Sequence, residues 1–321
     1  MITMNALSES VRNAVELAGR APSVHNTQPW RFALSGDAID LYADEQCWLR
    51  VADPDQRDLV VSCGAALHHL RVALAAAGIG AQVRRLPDPA RPDLLASVVL
   101  EGGVDRVDAT LVEQIPRRRS DRRAFRNWPL PDAFRQQLFD RAAEQGVLLL
   151  HVDDAERRAL LAGAFATAAA VQTSRPEYVE ELAAWTDHID SHGIPAENLV
   201  RPAPPSVVAA RDFGVPRETV NNIEPEQAML VVLGTASDDR LSRLRAGEAA
   251  SAVLLEATRQ GLASCPLSQV LEVEQSRAVV AADVLGGSLC PQLLLRIGWA
   301  PETPLPATPR RPVSETIVGR S

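Results

Sequence analysis

The stretches GAALHHLRVALAAAG at 64–78 and GEAASAVLLEATRQG at 247–261 align without a gap at a spacing of 183 residues, glycine on glycine at both ends. The first belongs to an almost wholly apolar helix running from about 57 to 77, with Gly78 placed to end it as the residue after the last turn. A helix apolar all round has no solvent face, so it must be buried on every side. Small-residue-rich helices also match by composition alone, so the alignment is weighed together with the order of the elements around it.

That order recurs. The first half reads as a helix over 6–20, with Leu7, Val11, Val15, Leu17 and Ala18 inward and Pro22 breaking it. A loop, APSVHNTQPW, leads to strands over 31–34 and 39–42, joined across Ser35-Gly36-Asp37 as a hairpin, and a core strand over 94–100 follows the buried helix. The second half has a basic segment, a helix over 132–144, a strand over 147–151, a helix over 155–172, then the repeated helix and a strand over 292–297. We therefore expect two related halves, 1–110 and 111–321. A chain carrying both halves of a symmetric dimer forms its two-fold interface internally and can act as a pseudo-dimeric monomer, although a homodimer remains compatible. A proline-rich stretch at about 185–222, containing His188, His192 and Arg211, has no counterpart in the first half and reads as a lid or a surface excursion.

At 321 residues the chain exceeds one usual compact domain, and 46% apolar with 23% charged residues is ordinary for a globular protein. The net charge is −8, and no lysine occurs, so all 33 basic residues are arginine. Schiff-base chemistry and P-loop nucleotide hydrolysis both need a lysine and are excluded. An acidic body is a poor partner for nucleic acid or anionic membrane. Cys47, Cys63, Cys265 and Cys290 lack C-x-x-C spacing, which argues against zinc and a disulfide framework. The pairs His68-His69 and His188 with His192 lack matching carboxylates and read as structural. With neither a basic n-region nor an apolar h-region in MITMNALSES, the expected compartment is the cytoplasm.

Four segments carry chemistry. The ledge from Pro22 to Trp30 sets Ser23, His25, Asn26, Thr27 and Gln28 between two prolines, and such donors and acceptors suit the rim of a heteroaromatic ring; a turn with a capping network is the equal alternative. Residues 117–123, RRRSDRR, place guanidinium forks and a hydroxyl where a phosphate monoester would need them, against the plainer readings of a solvated linker or an RNA-binding arm. Residues 308–312, TPRRP, hold Arg310 and Arg311 between prolines. The phrase GLASCPLSQ at 261–269 ends the repeated helix and is expected to turn at Pro266, freeing backbone N–H groups for a ligand edge.

Together these segments resemble the nitroreductase family, whose subunits carry P-S-x-x-N-x-Q-P-W, R-x-S-x-R or K, G-L-x-S-x-P and a basic C-terminal motif. Here they stand as Pro22-Ser23-Val24-His25-Asn26-Thr27-Gln28-Pro29-Trp30, Arg118-Arg119-Ser120-Asp121-Arg122, Gly261-Leu262-Ala263-Ser264-Cys265-Pro266 and Arg310-Arg311-Pro312. The first motif lies in the first half and the other three in the second. In the family FMN binds at the dimer interface, so the resemblance implies one pocket built from both halves. The opposite pocket is expected to be lost, because no R-x-S-x-R precedes Leu7 and Gln145-Gly146 stands where the ledge would recur. This layout resembles the family's tandem Acg group.

The resemblance implies an α+β fold of two fused half-subunits, each a mainly antiparallel sheet flanked by helices, mimicking the family homodimer. It further implies that Arg118, Ser120, Arg122, Arg310 and Arg311 hold the phosphate and ribityl chain, and that Pro22, Ser23, Asn26 and Gln28 line the ring. Backbone N–H groups of Leu267, Ser268 and Gln269 would face flavin N5, with Ser268 where many relatives carry glutamate. Arg122 is the expected cation near the pyrimidine end of the ring. The implied activity passes a hydride from NAD(P)H through FMN to a nitroaromatic or quinone-type acceptor. Two rivals stand beside it: a protein that stores or sequesters FMN beneath a lid, and an ordinary α/β protein whose arginine run is an interaction arm.

Overall fold

In the first half, an amphipathic helix, a hairpin and the buried helix assemble around one apolar layer. Helix α1 (Met4–Ala18) turns Val11, Ala14, Val15 and Ala18 inward, the i, i+3, i+4, i+7 stripe of a helix lying on a core. Strands β1 (Trp30–Ser35) and β2 (Ala38–Ala43) form an antiparallel hairpin, and Gly36 takes the positive φ of 54° that the turn requires. Helix α2 (Arg57–Ala76) follows, then β3 (Gln82–Arg85) and β4 (Leu94–Val99). The computed structural model describes residues 4–100, 107–186, 191–199, 211–213 and 227–319.

The second half runs through α3 (Asp132–Ala143), β5 (Leu148–His151), α4 (Ala155–Thr173), α5 (Pro176–Ala184), β6 (Met229–Thr235) and α6 (Arg240–Arg259). Strands β7 (Leu262–Leu267), β8 (Cys290–Trp299) and β9 (Ile317–Val318) complete it. One sheet has the order β3-β4-β2-β1-β9 and the other β5-β6-β8-β7. With β1 set against β5, β2 against β6, β3 against β7 and β4 against β8, the two sheets have the same order. All those pairings are antiparallel; β9 alone lies parallel, beside β1, and so carries the C-terminal tail onto the first half's sheet.

The halves meet where α2 crosses α6. Every residue from 57 to 74 is buried, as the helix's apolar composition requires. By length and composition α2 could cross a membrane, but 89% of that stretch lies inside the protein. At the crossing, Gly64 faces Gly247: a Cβ on Gly64 would fall 2.0 Å from the Leu244 carbonyl oxygen, and one on Gly247 would fall 1.9 Å from that of Val61. No side chain fits, which is why glycine stands at both positions. Leu244 follows Val61, and Gly247 follows Gly64, at the same spacing of 183 that relates the two stretches in the sequence. His68 Nδ1 likewise bonds Ser251 Oγ at 2.8 Å across the same interval. Residues that contact their own equivalents lie about a local two-fold axis.

Two sequence readings need correcting. The insertion into the second half is longer than 185–222, since α4 and α5 also fall between β5 and β6, where the first half has only the turn at Gly36. The expected turn at Pro266 is a strand: Pro266 sits in β7 opposite Leu295, and the chain reverses earlier, at Gly261 with φ 76°.

Candidate functional site

A cavity of about 140 Å³ opens between the halves. On one side stand Pro22, Ser23, Val24 and His25 of the ledge, with Asp58, Val61, Ser62 and Ala65 of α2. On the other stand Ser120 and Arg122, Leu254 of α6, Leu267 at the end of β7, Ser268 and Gln269 just beyond it, and Arg296 of β8. Seven of the twelve residues singled out in the sequence therefore line one space: Pro22, Ser23, Ser120, Arg122, Leu267, Ser268 and Gln269.

The ledge keeps its shape against strain. His25, Asn26 and Gln28 all have left-handed φ, 46°, 56° and 52°, at a cost of order 1 kcal/mol each for non-glycine residues. Hydrogen bonds offset it. The Gln28 N–H donates to Ser23 Oγ at 3.0 Å, and the Val24 N–H to Ser62 Oγ at 3.1 Å. Asn26 Nδ2 donates to the carbonyls of Gly193 and Pro309, while its Oδ1 accepts from Arg310. Gln28 Nε2 donates to the Ser191 carbonyl, and its Oε1 accepts from the Arg311 N–H. Both side chains were expected at the ring rim. Both spend their bonds tying the ledge to the insertion and the C-terminal tail, and neither lines the cavity.

Four guanidinium-bearing residues converge beside the ledge. Arg118 and Arg310 each donate to the Arg20 carbonyl, at 3.2 and 3.4 Å, and the Nε atoms of Arg118, Arg119 and Arg310 are buried without an acceptor. No described carboxylate comes within ion-pair distance of these three. Burial, then Arg118, Arg20 and Arg119, pulls the Arg310 pKa down to about 9, and burial followed by Arg119 brings Arg118 to about 10. Positive charge held together and out of water is costly unless an anion joins it. Guanidinium forks in that arrangement match the oxygens of a phosphate.

Arg311 behaves differently. It bonds Asp44 Oδ2 at 3.1 Å and the Gln28 carbonyl at 3.1 Å, so its charge is satisfied and it fastens the tail instead. Arg122 does face the cavity, its guanidinium 5.5 Å from the Phe213 ring, and burial lowers its pKa first of all.

The insertion closes over this space. Arg211 donates to Tyr178 Oη at 2.7 Å, meets His25 Nε2 at 2.9 Å and forms a buried ion pair with Glu272. Phe213 stands edge-on to His25 at 6.0 Å. Burial, then Arg211 and Arg122, holds His25 well below its ordinary pKa and therefore neutral. Of the histidines weighed for metal, His188 lies outside the described residues and His192 packs against Trp185; no metal-binding cluster occurs among the described residues.

Sequence reasoning missed Asp58, Ser62 and Ala65. A signal existed: in a mainly apolar helix the polar residues 58 and 62 and the small residue 65 recur at i, i+4 and i+7, which marks one face.

The two-fold-related place between the halves is full. At the spacing of 183, Ala65 corresponds to Glu248, Leu254 to Arg71 and Ser268 to Arg85. Glu248 is wholly buried, accepts from Arg71 Nη1 at 2.7 Å, and accepts from Arg85 Nε and Nη2 at 2.6 and 2.8 Å. Gln145 Oε1 also accepts from Arg71, at 2.9 Å.

No family model matches the chain. Over 317 residues it is 43% identical to a Mycobacterium tuberculosis protein provisionally named NAD(P)H nitroreductase Rv3131, covering 97% of this chain and 91% of that one. Over 323 residues it is 39% identical to Acg of the same organism, provisionally given the same activity, covering 97% and 96%. Among solved structures, the FMN-dependent nitroreductase NfnB from Mycobacterium smegmatis, in complex with NADPH, aligns over 66% of this chain and 99% of its own at 21% identity, with a TM-score of 0.43.

Proposed function

The chain belongs to the NAD(P)H nitroreductase family, and on that premise we propose that it is an FMN oxidoreductase with one flavin site per chain, its two halves standing in for a dimer. The observation that carries the reading is the cluster of guanidiniums without carboxylates, Arg118 buried and Arg119 and Arg310 half-buried, each with a buried Nε that has no acceptor. Arg118 and Arg310 would bind the phosphate monoester, with Ser120 toward the ribityl chain. Pro22 and Ser23 would line the ring, Arg122 would stabilise negative charge on it when reduced, and the N–H groups after β7 would meet its edge. FMN supplies hydride transfer from NAD(P)H to a small acceptor, nitroaromatic or quinone-type. Asn26, Gln28 and Arg311 serve by holding the ledge in place.

One observation favours a second reading. Arg211 and Phe213 lie over the cavity and are anchored by an ion pair, an arrangement suited to keeping FMN rather than admitting substrates. A visible spectrum after FMN addition and desalting, followed by anaerobic NADPH and NADH, separates the two. Flavin retained near one per chain and bleached rapidly supports the reductase. Flavin retained but resistant to both donors supports sequestration, and no retained flavin sinks both.

A further inference from the structure

Asp58 lies at a boundary. It lines the central cavity, and it also lines a small outer crevice of about 10 Å³, together with Asp53, Arg57 and Glu272. Among the residues lining these two spaces it is the one they share. The crevice is about the size that holds a single water. Its backbone is occupied, the N–H donating to Asp53 Oδ1 and the carbonyl accepting from Ser62 Oγ. Its carboxyl, on a residue only 7% exposed, takes no hydrogen bond from any described side chain.

The surrounding charges are already matched. Glu272 is served by Arg211, by Ser268 Oγ at 2.8 Å and by Gln172 Nε2 at 2.7 Å. Arg57 pairs with Asp238. Asp53 accepts the N–H groups of Asp58 and Leu59 at the start of α2. On the same wall of the cavity stands neutral His25, and across it stand the guanidiniums of Arg122 and Arg296. Burial, followed by Asp53 and Glu272, raises the Asp58 carboxyl well above its usual range despite Arg57 and Arg211. A buried carboxyl that holds its proton more tightly than usual can act as a donor.

We propose that Asp58 is the catalytic acid of this site, giving its proton to the oxygen of the acceptor in the cavity and recovering one from the outer crevice. The proposal rests on the oxidoreductase reading above. Reduction of a quinone to a hydroquinone, or of a nitro group to nitroso and water, takes one hydride equivalent and one proton. The hydride equivalent originates in NAD(P)H. The Asp58 O–H bond breaks as the new O–H bond forms on the acceptor, leaving a carboxylate. Asp53, its own pKa raised to about 7 chiefly by burial, lines the same crevice and is placed to pass the next proton inward.

The test compares wild type with Asp58→Asn, which keeps shape and hydrogen-bonding capacity but has no transferable proton. Flavin-loaded protein is reduced with NADPH, then mixed with benzoquinone while reoxidation is followed. The expected result is a slowing of roughly 10²-fold in the variant, the ordinary scale for a lost general acid, with the wild type's decline in rate at high pH abolished. Reoxidation at the wild-type rate overturns the proposal. Independently of flavin, infrared spectra of the unloaded protein should show a protonated-carboxyl C=O band that Asp58→Asn removes; an ionised Asp58 at pH 7 also overturns it. Wild type that retains no flavin removes the oxidoreductase reading, and the proposal with it, while the infrared band still reports the proton.

Discussion

Where Ala65, Leu254 and Ser268 leave room at one place between the halves, the two-fold-related place sets Glu248, Arg71 and Arg85, bonded into a buried network. The backbone plan around the two places is the same, with equal strand order and glycine turns at Gly78 and Gly261 of φ 71° and 76°. The two places therefore differ at side chains while the frame around them is the same. The reason lies in which positions the packing leaves free. At the helix crossing any Cβ meets backbone, so glycine must persist on both sides; at the cavity wall side chains meet other side chains, and either an opening or an ion pair satisfies them.

The largest expected effect breaks the frame itself. Gly64→Ala or Gly247→Ala puts a methyl within about 2 Å of a backbone carbonyl that cannot rotate away. Each should cost more than about 4 kcal/mol or abolish cooperative folding, measured by chemical denaturation. A loss under about 1 kcal/mol from either would show that α2 and α6 can separate, and the argument for a fixed common frame would fail.

Next comes an exchange of walls. Ala65→Glu places the sealing carboxylate in the open cavity, which Arg122 and Arg211 also line, and should abolish FMN retention after desalting. Glu248→Ala leaves Arg71 and Arg85 without their shared carboxylate and should cost about 3–5 kcal/mol, the scale for breaking a buried ion pair, while FMN retention is unchanged. Retention by Ala65→Glu would mean that the cavity wall is not what distinguishes the halves.

What the sequence disclosed follows the same division. The glycines at both ends of the repeat were legible because backbone constraints act on residue identity directly, and the arginine-serine segment and the ledge were legible as motifs. Strand β6 passed unread although every residue in it is buried, because a strand covered on both faces has no alternation to detect. Strand β7 was read as a turn because Pro266 normally ends pairing; an edge strand tolerates it. Asn26, Gln28 and Arg311 were placed at the ligand because their donors and acceptors suited it. Their actual partners, Ser191, Gly193, Pro309 and Asp44, are remote in sequence, and no local pattern announces them. The same distance hid the meeting of Arg211 with His25 and Glu272.

A smaller effect separates the helix starts by pH. Asp53 and Asp239 both cap a repeated helix, but Asp53 is buried and its pKa is raised to about 7, while Asp239 is exposed and lowered, first by the Ser242 N–H and then by Ser237. Between about pH 4 and 7 the folded state holds a proton on Asp53 that the unfolded chain releases, so its contribution to stability falls as pH rises, by at most about 1.4 kcal/mol per unit. Asp239 has the opposite sign: its contribution is full above the unfolded pKa and fades as pH drops through the lower folded one. Buried neutral His25, His68 and His69 also add stability with rising pH, so the readout is the difference between each Asn variant and wild type. From pH 5 to 8, Asp53→Asn should gain on wild type, whereas Asp239→Asn should show no such gain and lose its deficit only in acid. Parallel curves for the two variants would mean that the caps share one environment.

The smallest effect tests whether the frame is common in energy as well as in shape. Gly78→Ala and Gly261→Ala each introduce a methyl with nothing within 4 Å, so neither clashes. Each pays only for the left-handed backbone, about 1 kcal/mol. Because that strain is set by φ, and the two φ values differ by only a few degrees, the two losses should agree within about 0.5 kcal/mol in denaturant titrations, even though one turn leads into the cavity wall and the other into the sealed side. A disparity well beyond that would locate the divergence of the halves in the backbone as well as the side chains, because an alanine methyl at either turn has nothing else to touch.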